Sequence, residues 1–158
     1  MIEFTVEGDP VPYARMQGGK STRRFIPAKQ RAAMDALAWA AAKAMRGRPL
    51  IEGPVLLHAV FAFEHPASWS KAKRGTTFYK TSKPDSDNLT KLAMDAFKGV
   101  VWIDDSQVCS LVVSKIYSHT AYSTFMIAEG NYADTIRGSE IHFAASHASG
   151  LSGAAQAA

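Results

Sequence analysis

The sequence predicts one α+β domain in which a mixed β-sheet is packed by two main helices. A length of 158 residues suits a single domain with a core of its own. Runs of β-forming apolar residues alternate with two segments that have helical features, and no internal repeat divides the chain. These patterns support the fold class and leave the order of the strands open.

The first half of the chain predicts a strand, a loop, a long helix and a second strand. Residues 2–6 alternate between apolar and polar side chains, which is typical of a half-buried strand. Residues 13–25 form a basic loop that contains glycine. The alanine-rich residues 29–46 contain few helix breakers and predict a long helix. The largely apolar residues 55–63 predict a buried strand.

Residues 65–82 predict a polar loop, which is followed by a second helix over residues 87–98. Apolar residues at spacings of three and four predict this helix, and Gly99 fits its C-terminus. An aspartate or serine within residues 85–87 is expected to cap its start. The apolar stripe consists of Leu89, Leu92, Ala93, Ala96 and Phe97.

The rest of the chain predicts short strands and then a tail. Residues 100–103 are β-rich and predict a short strand, and residues 108–117 and 122–128 predict a hairpin joined near Ser118. Residues 141–143 are a candidate for a last short strand. We assign residues 1–144 to the domain and the Ala/Gly/Ser-rich residues 145–158 to a flexible C-terminal tail.

Cysteine and histidine usage narrows the class of protein. Cys109 is the one cysteine, so an intrachain disulfide is excluded and a cytoplasmic location is expected, with Cys109 as a packed thiol. The five histidines show no paired spacing typical of a zinc site. No signal peptide is recognised, and no apolar run is long enough to cross a membrane.

Carboxylates are concentrated within residues 83–108, although the chain has a net charge of +4 and a pI near 9.3. A carboxylate cluster in a basic protein suggests a hard cation held next to a polyanion such as nucleic acid. Three simpler interpretations compete with this one: an N-cap, a surface ion pair and an acidic turn. They apply respectively to Asp87, to Lys91 with Asp95, and to Asp104 with Asp105.

This run resembles the RusA-type Holliday junction resolvases, which are small endodeoxyribonucleases common in phages and prophages. The family signature reads D-x-D-N-x-x-K-x-x-x-D-[AG]-[LF]-x-G, then a short apolar segment, then D-D-x-x-[VI]. Its spacing is kept throughout. A weaker resemblance to the family's opening covers Gly8, Pro10, Pro12 and Arg15. The residues that match the main signature are Asp85, Asp87, Asn88, Lys91, Asp95, Ala96, Phe97, Gly99, Asp104, Asp105 and Val108.

The resemblance implies a RusA-like fold and an enzyme that resolves Holliday junctions by paired nicks during DNA recombination and repair. It implies a bacterial or phage-encoded homodimer that uses Mg²⁺, with Mn²⁺ as a substitute. Asp85, Asp87 and Asp105 are the expected metal ligands, supported by Asp104, and Lys91 joins the three as a catalytic residue. Asn88 and Asp95 are expected to hold the site together.

Basic loops are expected to contact DNA phosphates, while Trp69 is either a stacking residue or a loop anchor. Gly18–Ser21 imitates the end of a nucleotide-binding P-loop, but Ala14 replaces the first glycine, so no nucleotide cofactor is expected. Two other functions stay open: a different metal-dependent nuclease and a DNA-binding module without cleavage. The expected DNA contacts are Arg15, Lys20, Arg23, Arg24, Lys71, Lys73 and Arg74.

Overall fold

The computed structural model describes residues 1–14, 26–76 and 78–130, and it confirms an α+β domain with a mixed five-stranded sheet. The long helix and the four long strands lie where the sequence predicts them. In chain order the elements are β1 (Ile2–Glu7), α1 (Ala28–Met45), β2 (Val55–Glu64), α2 (Lys71–Arg74), β3 (Phe78–Tyr79), α3 (Ser86–Phe97), a 3-10 turn (Asp105–Gln107), β4 (Val108–Ser118) and β5 (Tyr122–Glu129).

The strands are ordered β1-β5-β2-β4-β3, so the predicted hairpin of β4 and β5 is wrong. β2 lies between them, parallel to β4 and antiparallel to β5. The prediction failed because nearness in sequence favours a hairpin, whereas the ten-residue apolar run of β2 offers both strands a longer partner. His65 donates its backbone N–H to the carbonyl of Ser118 at 3.1 Å, at the end of β2 that the β4–β5 connection crosses.

The hydrophobic core lies between α1, α3 and one face of the sheet. Phe97 at the end of α3 is fully buried, and its ring meets those of Phe4, Phe125 and Trp102 at centroid distances of 5.5, 4.9 and 5.7 Å. Edge-on ring pairs of this kind add about 0.5–1.5 kcal/mol each beyond the burial of apolar area. α3 is therefore held firmly on the sheet, and so are the polar residues on its outer face.

Residues 98–103 form a tight turn, so the strand predicted there is wrong. Gly99 follows the helix with φ +73°, as expected for a helix C-terminus, and its N–H donates to the carbonyl of Trp102 at 2.7 Å. Val101 and Trp102 are fully buried. The apolar composition that suggested a strand reflects this burial, because the chain reverses here and fills the core.

Two further predictions need correction. The polar loop over residues 65–82 contains the short helix α2 and the two-residue strand β3, which pairs with the end of β4. Cys109 is exposed on β4, so the prediction of a packed thiol is wrong. The predictions on residues 15–25, the short strand at 141–143 and the tail at 145–158 lie outside the described residues. Within the described part of the chain, no helix is long and apolar enough to cross a membrane.

Candidate active site

Helix α3 presents polar residues along its outer face, opposite the apolar stripe that it buries. Asp87, Lys91 and Asp95 follow one another at intervals of four, so they lie on one side of the helix. Asp85 occupies the N-cap position, but its carboxylate makes no capping hydrogen bond. Asp87 lies inside the first turn, so the N-cap interpretation does not account for it. Both carboxylates lie at the positive end of the helix dipole.

The 3-10 turn that carries Asp105 is held by hydrogen bonds from its neighbours. Gln107 Oε1 accepts from the backbone N–H groups of Ile103 and Asp104, each at 2.8 Å. Its Nε2 donates to the carbonyls of Ile51 and Gly53 at 2.9 and 3.0 Å. Gln107 therefore ties the acidic turn to the segment before β2. Gln107 stands at a position that the signature leaves free, so the motif predicts no role for it.

Asp105 is oriented by the indole of Trp102. The Nε1–H of Trp102 donates to Asp105 Oδ1 at 2.9 Å, and the Trp102 ring is fully buried. A buried indole has few alternative positions, so one carboxylate oxygen is fixed from the core side. Trp102 therefore positions Asp105 as well as packing in the core. Its second role as a hydrogen-bond donor could not be read from its apolar neighbours in the sequence.

A groove of about 520 Å³ lies between α3 and β4. Helix α3 forms one of its walls, and the 3-10 turn with β4 forms the other. Four residues predicted for the site meet in it: Asp87, Lys91, Asp95 and Asp105. The other predicted residues of the site, Asp85 and Asp104 among them, are not part of its lining. The remaining lining residues are Ser86, Thr90, Met94, Leu111 and Val113.

Lys91 lies at the edge of this groove and keeps much of its freedom. Its Nζ is 3.9 Å from Asp95 Oδ2, and 56% of its side chain is exposed. The same nitrogen lies 5.1 Å from the ring centroid of Tyr13. An exposed pair four residues apart stabilises a helix by only about 0.3–0.5 kcal/mol, so Lys91 can exchange Asp95 for an anionic ligand at small cost.

The N-terminal segment is anchored beside Lys91. The N–H of Tyr13 donates to the carbonyl of Asn88 at 2.8 Å, and the N–H of Ala14 donates to Oε1 of the buried Gln30 at 2.9 Å. Asn88 therefore anchors this segment through its backbone carbonyl. Tyr13 therefore lies on the side of the groove where Lys91 lies.

Asp104 is engaged by its own neighbours. It forms an ion pair with Lys98, and its Oδ1 accepts from the backbone N–H of Ser106 at 3.0 Å as the cap of the 3-10 turn. The hydrogen bond from Lys98 lowers the pKa of Asp104 well below its usual range, and the same bond raises the pKa of Lys98. Any role for Asp104 as a metal ligand competes with these partners.

If the protein nicks DNA, as the resemblance implies, we expect Asp104→Asn to nick within about tenfold of the wild-type rate, because asparagine keeps the cap. Asp104→Ala loses the cap as well as the ion pair, so it should lower the melting temperature more than Asp104→Asn does. The ion pair stabilises the fold above the ordinary carboxyl pKa and is lost as pH falls through the lowered folded value. Thermal melts of wild type and Asp104→Asn should therefore differ equally at pH 7 and pH 5. A thousandfold loss of nicking by Asp104→Asn would instead identify a ligand.

Lys115 of β4 is a positioning residue that the sequence analysis missed. Its Nζ donates to the carbonyls of Ser82 and Pro84 at 2.7 and 2.6 Å. These carbonyls belong to the segment directly before Asp85. Lys115 therefore fixes the backbone from which the first carboxylate of the signature projects. The signal available in the sequence was a single charged residue inside an otherwise uncharged strand.

We expect Lys115→Met to lower the nicking rate about tenfold, since charged hydrogen bonds contribute about 1.5–3 kcal/mol. Methionine keeps the unbranched apolar stem and removes the donors. The Mg²⁺ concentration for half-maximal nicking should rise, the affinity for DNA should stay unchanged, and Lys115→Arg should restore part of the rate. A lower melting temperature without any change in Mg²⁺ dependence would assign Lys115 to stability alone.

Comparison with known proteins places this chain in a family. The family described as Endodeoxyribonuclease RusA matches residues 7–127. The chain belongs to the RusA family. It is also similar to the uncharacterized protein YqaN of Bacillus subtilis strain 168, with 37% identity over 139 residues that cover 81% of this chain and 96% of that protein. The RusA match includes both walls of the groove and ends before residues 145–158.

The RusA resemblance implies a divalent cation, and the carboxylates of the groove are the type of ligand that such a cation binds. Within residues 1–14, 26–76 and 78–130, no three acidic, histidine or cysteine side chains form a metal-binding group. However, Asp87, Asp95 and Asp105 supply carboxylate oxygens to one groove. Mg²⁺ binds through one or two carboxylates and takes its other ligands from water and substrate phosphates. The residues thus fit a cation shared with a phosphate better than a cage of protein ligands.

Proposed function

We propose that the protein is a Mg²⁺-dependent endodeoxyribonuclease that resolves four-way DNA junctions by paired nicks, in recombination and repair. The observation that carries this proposal is the groove in which Asp87, Lys91, Asp95 and Asp105 meet, in a chain of the RusA family. Carboxylates and a mobile ammonium group suit the cleavage of a phosphodiester, which is anionic and resists attack by hydroxide.

Each groove residue has a proposed role. Asp87 and Asp105 would hold the cation from the two walls of the groove, and Asp85, at the helix start and outside the lining, would add a ligand. When bound, Mg²⁺ would offset the charge of the phosphodiester and activate water; Mn²⁺ would serve in its place. Lys91 stabilises the charge that develops on the phosphate or orients the attacking water. Asp95 holds Lys91 near the groove when no DNA is present.

The proposal includes a homodimer. A four-way junction has two-fold symmetry, so its resolution requires two nicks at symmetric positions. A dimer with two-fold symmetry presents two equivalent grooves in matching orientation. Light scattering of the free protein and of its junction complex tests this part independently of cleavage, and a complex with one protein chain per junction would contradict it.

A cleavage assay on a synthetic mobile four-way junction tests the proposed function. We expect nicks at symmetric positions in the presence of Mg²⁺, no nicks in EDTA, and much slower cleavage of linear duplex with the same sequence. Equal cleavage of flapped or linear DNA would favour a different metal-dependent nuclease. Junction binding without nicking at any Mg²⁺ or Mn²⁺ concentration would favour a DNA-binding module.

The basic loop before α1 supplies a prediction on binding. We expect Arg23→Ala combined with Arg24→Ala to weaken junction binding and to make its dependence on salt shallower, because each lost phosphate contact releases about one counterion fewer. The slope of log affinity against log salt should fall by about 2. The matched control is Arg31→Ala with Lys43→Ala on α1, which removes the same charge from exposed positions. An unchanged slope would indicate that the DNA-binding surface lies at α2 instead.

A further inference from the structure

A cluster of aromatic rings lies where β3 meets the end of β4; we call it the aromatic cluster. Trp69 is near its centre, with ring centroids 4.9 Å from Tyr117, 5.7 Å from Phe78 and 5.6 Å from His65. The cluster is outside the groove, and the proposed chemistry does not use it. Its members are His65, Trp69, Phe78, Tyr117 and His119.

The inner members of the aromatic cluster are fixed by hydrogen bonds. His65 is buried, and its Nε2 lies 2.9 Å from the carbonyl oxygen of Thr76. The hydroxyl of Tyr117 lies 3.1 Å from both Ser82 Oγ and Lys80 Nζ. Trp69 packs among these groups, which supports its role as a loop anchor. Lys73 Nζ lies 4.0 Å from the centroid of the Trp69 ring, so an ammonium group already occupies that face.

Phe78 is the outward member of the aromatic cluster. It stands edge-on to Trp69 at 90°, and 39% of its surface is exposed. It pairs with Tyr117, so the two side chains lie on the same face of the sheet. By the alternation of β4, that face also carries Lys115 and the groove residues Leu111 and Val113.

The charge around the aromatic cluster suits a polyanion. Residues 65–84 contain five lysine and arginine residues and no aspartate or glutamate. The cation of Lys73 lies over the ring of Trp69, which Phe78 contacts edge-on. Rigid aromatic rings next to cations bind unpaired nucleic acid, because every base has a π-face and every nucleotide a phosphate. The positive residues are Lys71, Lys73, Arg74, Lys80 and Lys83.

We propose that Phe78 stacks on an unpaired DNA base and that Lys73 contacts the neighbouring phosphate. This inference deepens the proposed function and rests on it, since it assigns to Phe78 the selection of branched over continuous DNA. At the branch point of a junction the stacking of bases is interrupted, so a base there is open to an aromatic ring. In a continuous duplex both faces of each base are already covered.

The test measures binding in EDTA, so that metal-dependent cleavage does not interfere, and a denaturing gel confirms that the DNA stays intact. Junctions carry 2-aminopurine either at the branch point or in the middle of an arm, and a single-stranded oligonucleotide is titrated in parallel. We expect fluorescence quenching at the branch point only. Phe78→Ala should weaken single-strand and junction binding about tenfold, which is about 1.4 kcal/mol and within the range for one stacked base.

Three variants separate stacking from packing. Phe78→Leu keeps an apolar side chain against Trp69 but has no π-face, so it should lose binding as Phe78→Ala does. Phe78→Tyr should retain binding. Tyr79→Ala is the matched control, because Tyr79 is 66% exposed and points to the opposite face of the sheet. It should bind as the wild type does.

Unchanged binding by folded Phe78→Ala would overturn the inference. So would normal binding by Phe78→Leu, which would assign Phe78 to packing, or an equal loss of affinity for continuous duplex. Failure of the proposed function gives a different result: the wild-type protein would then nick no junction in Mg²⁺, whatever Phe78 does in the binding assay. The two failures are therefore distinguishable.

Discussion

Asp87→Asn is expected to lower the rate of junction nicking about a thousandfold while junction binding stays intact or becomes tighter. Loss of one carboxylate would weaken the hold of the proposed site on Mg²⁺, and a catalytic Mg²⁺ stabilises a transition state by several kcal/mol. The same change removes a negative charge that faces the DNA phosphates, so affinity does not suffer. Asp85 is the N-cap of α3, so the substitution keeps the capping residue and loses only the small interaction of the Asp87 charge with the helix dipole.

The measurement combines single-turnover nicking with a binding titration in EDTA. Asp35→Asn is the matched control, because it makes the same charge change on the exposed side of α1. It should nick at the wild-type rate. If Asp87→Asn melted at the wild-type temperature and still nicked at a rate close to that of the control, Asp87 would be a surface residue and the groove would not be the catalytic site.

The sequence predicted well those parts of the fold that depend on local pattern. The 3.6-residue period of α3 and the glycine after it placed the helix to within one residue at each end. The same period predicted that Lys91 and Asp95 share a face of the helix. These features depend on neighbours within one or two turns, which a single sequence displays directly.

Local sequence patterns could not predict which strands pair when they lie far apart in the chain. β4 and β5 were expected to pair because they are consecutive, but each pairs with β2, which lies far away in the sequence. The roles of Gln107 and Lys115 depend on the same kind of contact, since both side chains reach backbone carbonyls that are distant in the chain. The sequence supplied the candidate carboxylates, and the structure added the residues that hold the segments carrying them.

The sequence signature predicts Asp105 as a site residue, and the structure shows how Trp102 orients it. Substitution of Asp105 has the second large expected effect. Asp105→Asn should reduce nicking about a thousandfold, as Asp87→Asn does, because the groove loses the carboxylate of its other wall. The amide can still accept the hydrogen bond from Trp102 through its oxygen. Folding should therefore be close to that of the wild type, and junction binding in EDTA should be retained.

Trp102→Phe separates the charge of Asp105 from its orientation. Phenylalanine fills most of the buried space beside Phe97 but cannot donate to Asp105 Oδ1. We expect nicking to fall about tenfold, the loss of one oriented hydrogen bond to a charged group, and the Mg²⁺ requirement to rise. Trp39→Phe, at an exposed position on α1, controls for the change of ring. The measurement is the single-turnover nicking rate across a Mg²⁺ titration. A Trp102→Phe enzyme with the wild-type Mg²⁺ requirement would show that the indole only packs. Full nicking by Asp105→Asn would show that Asp105 is not part of the catalytic site.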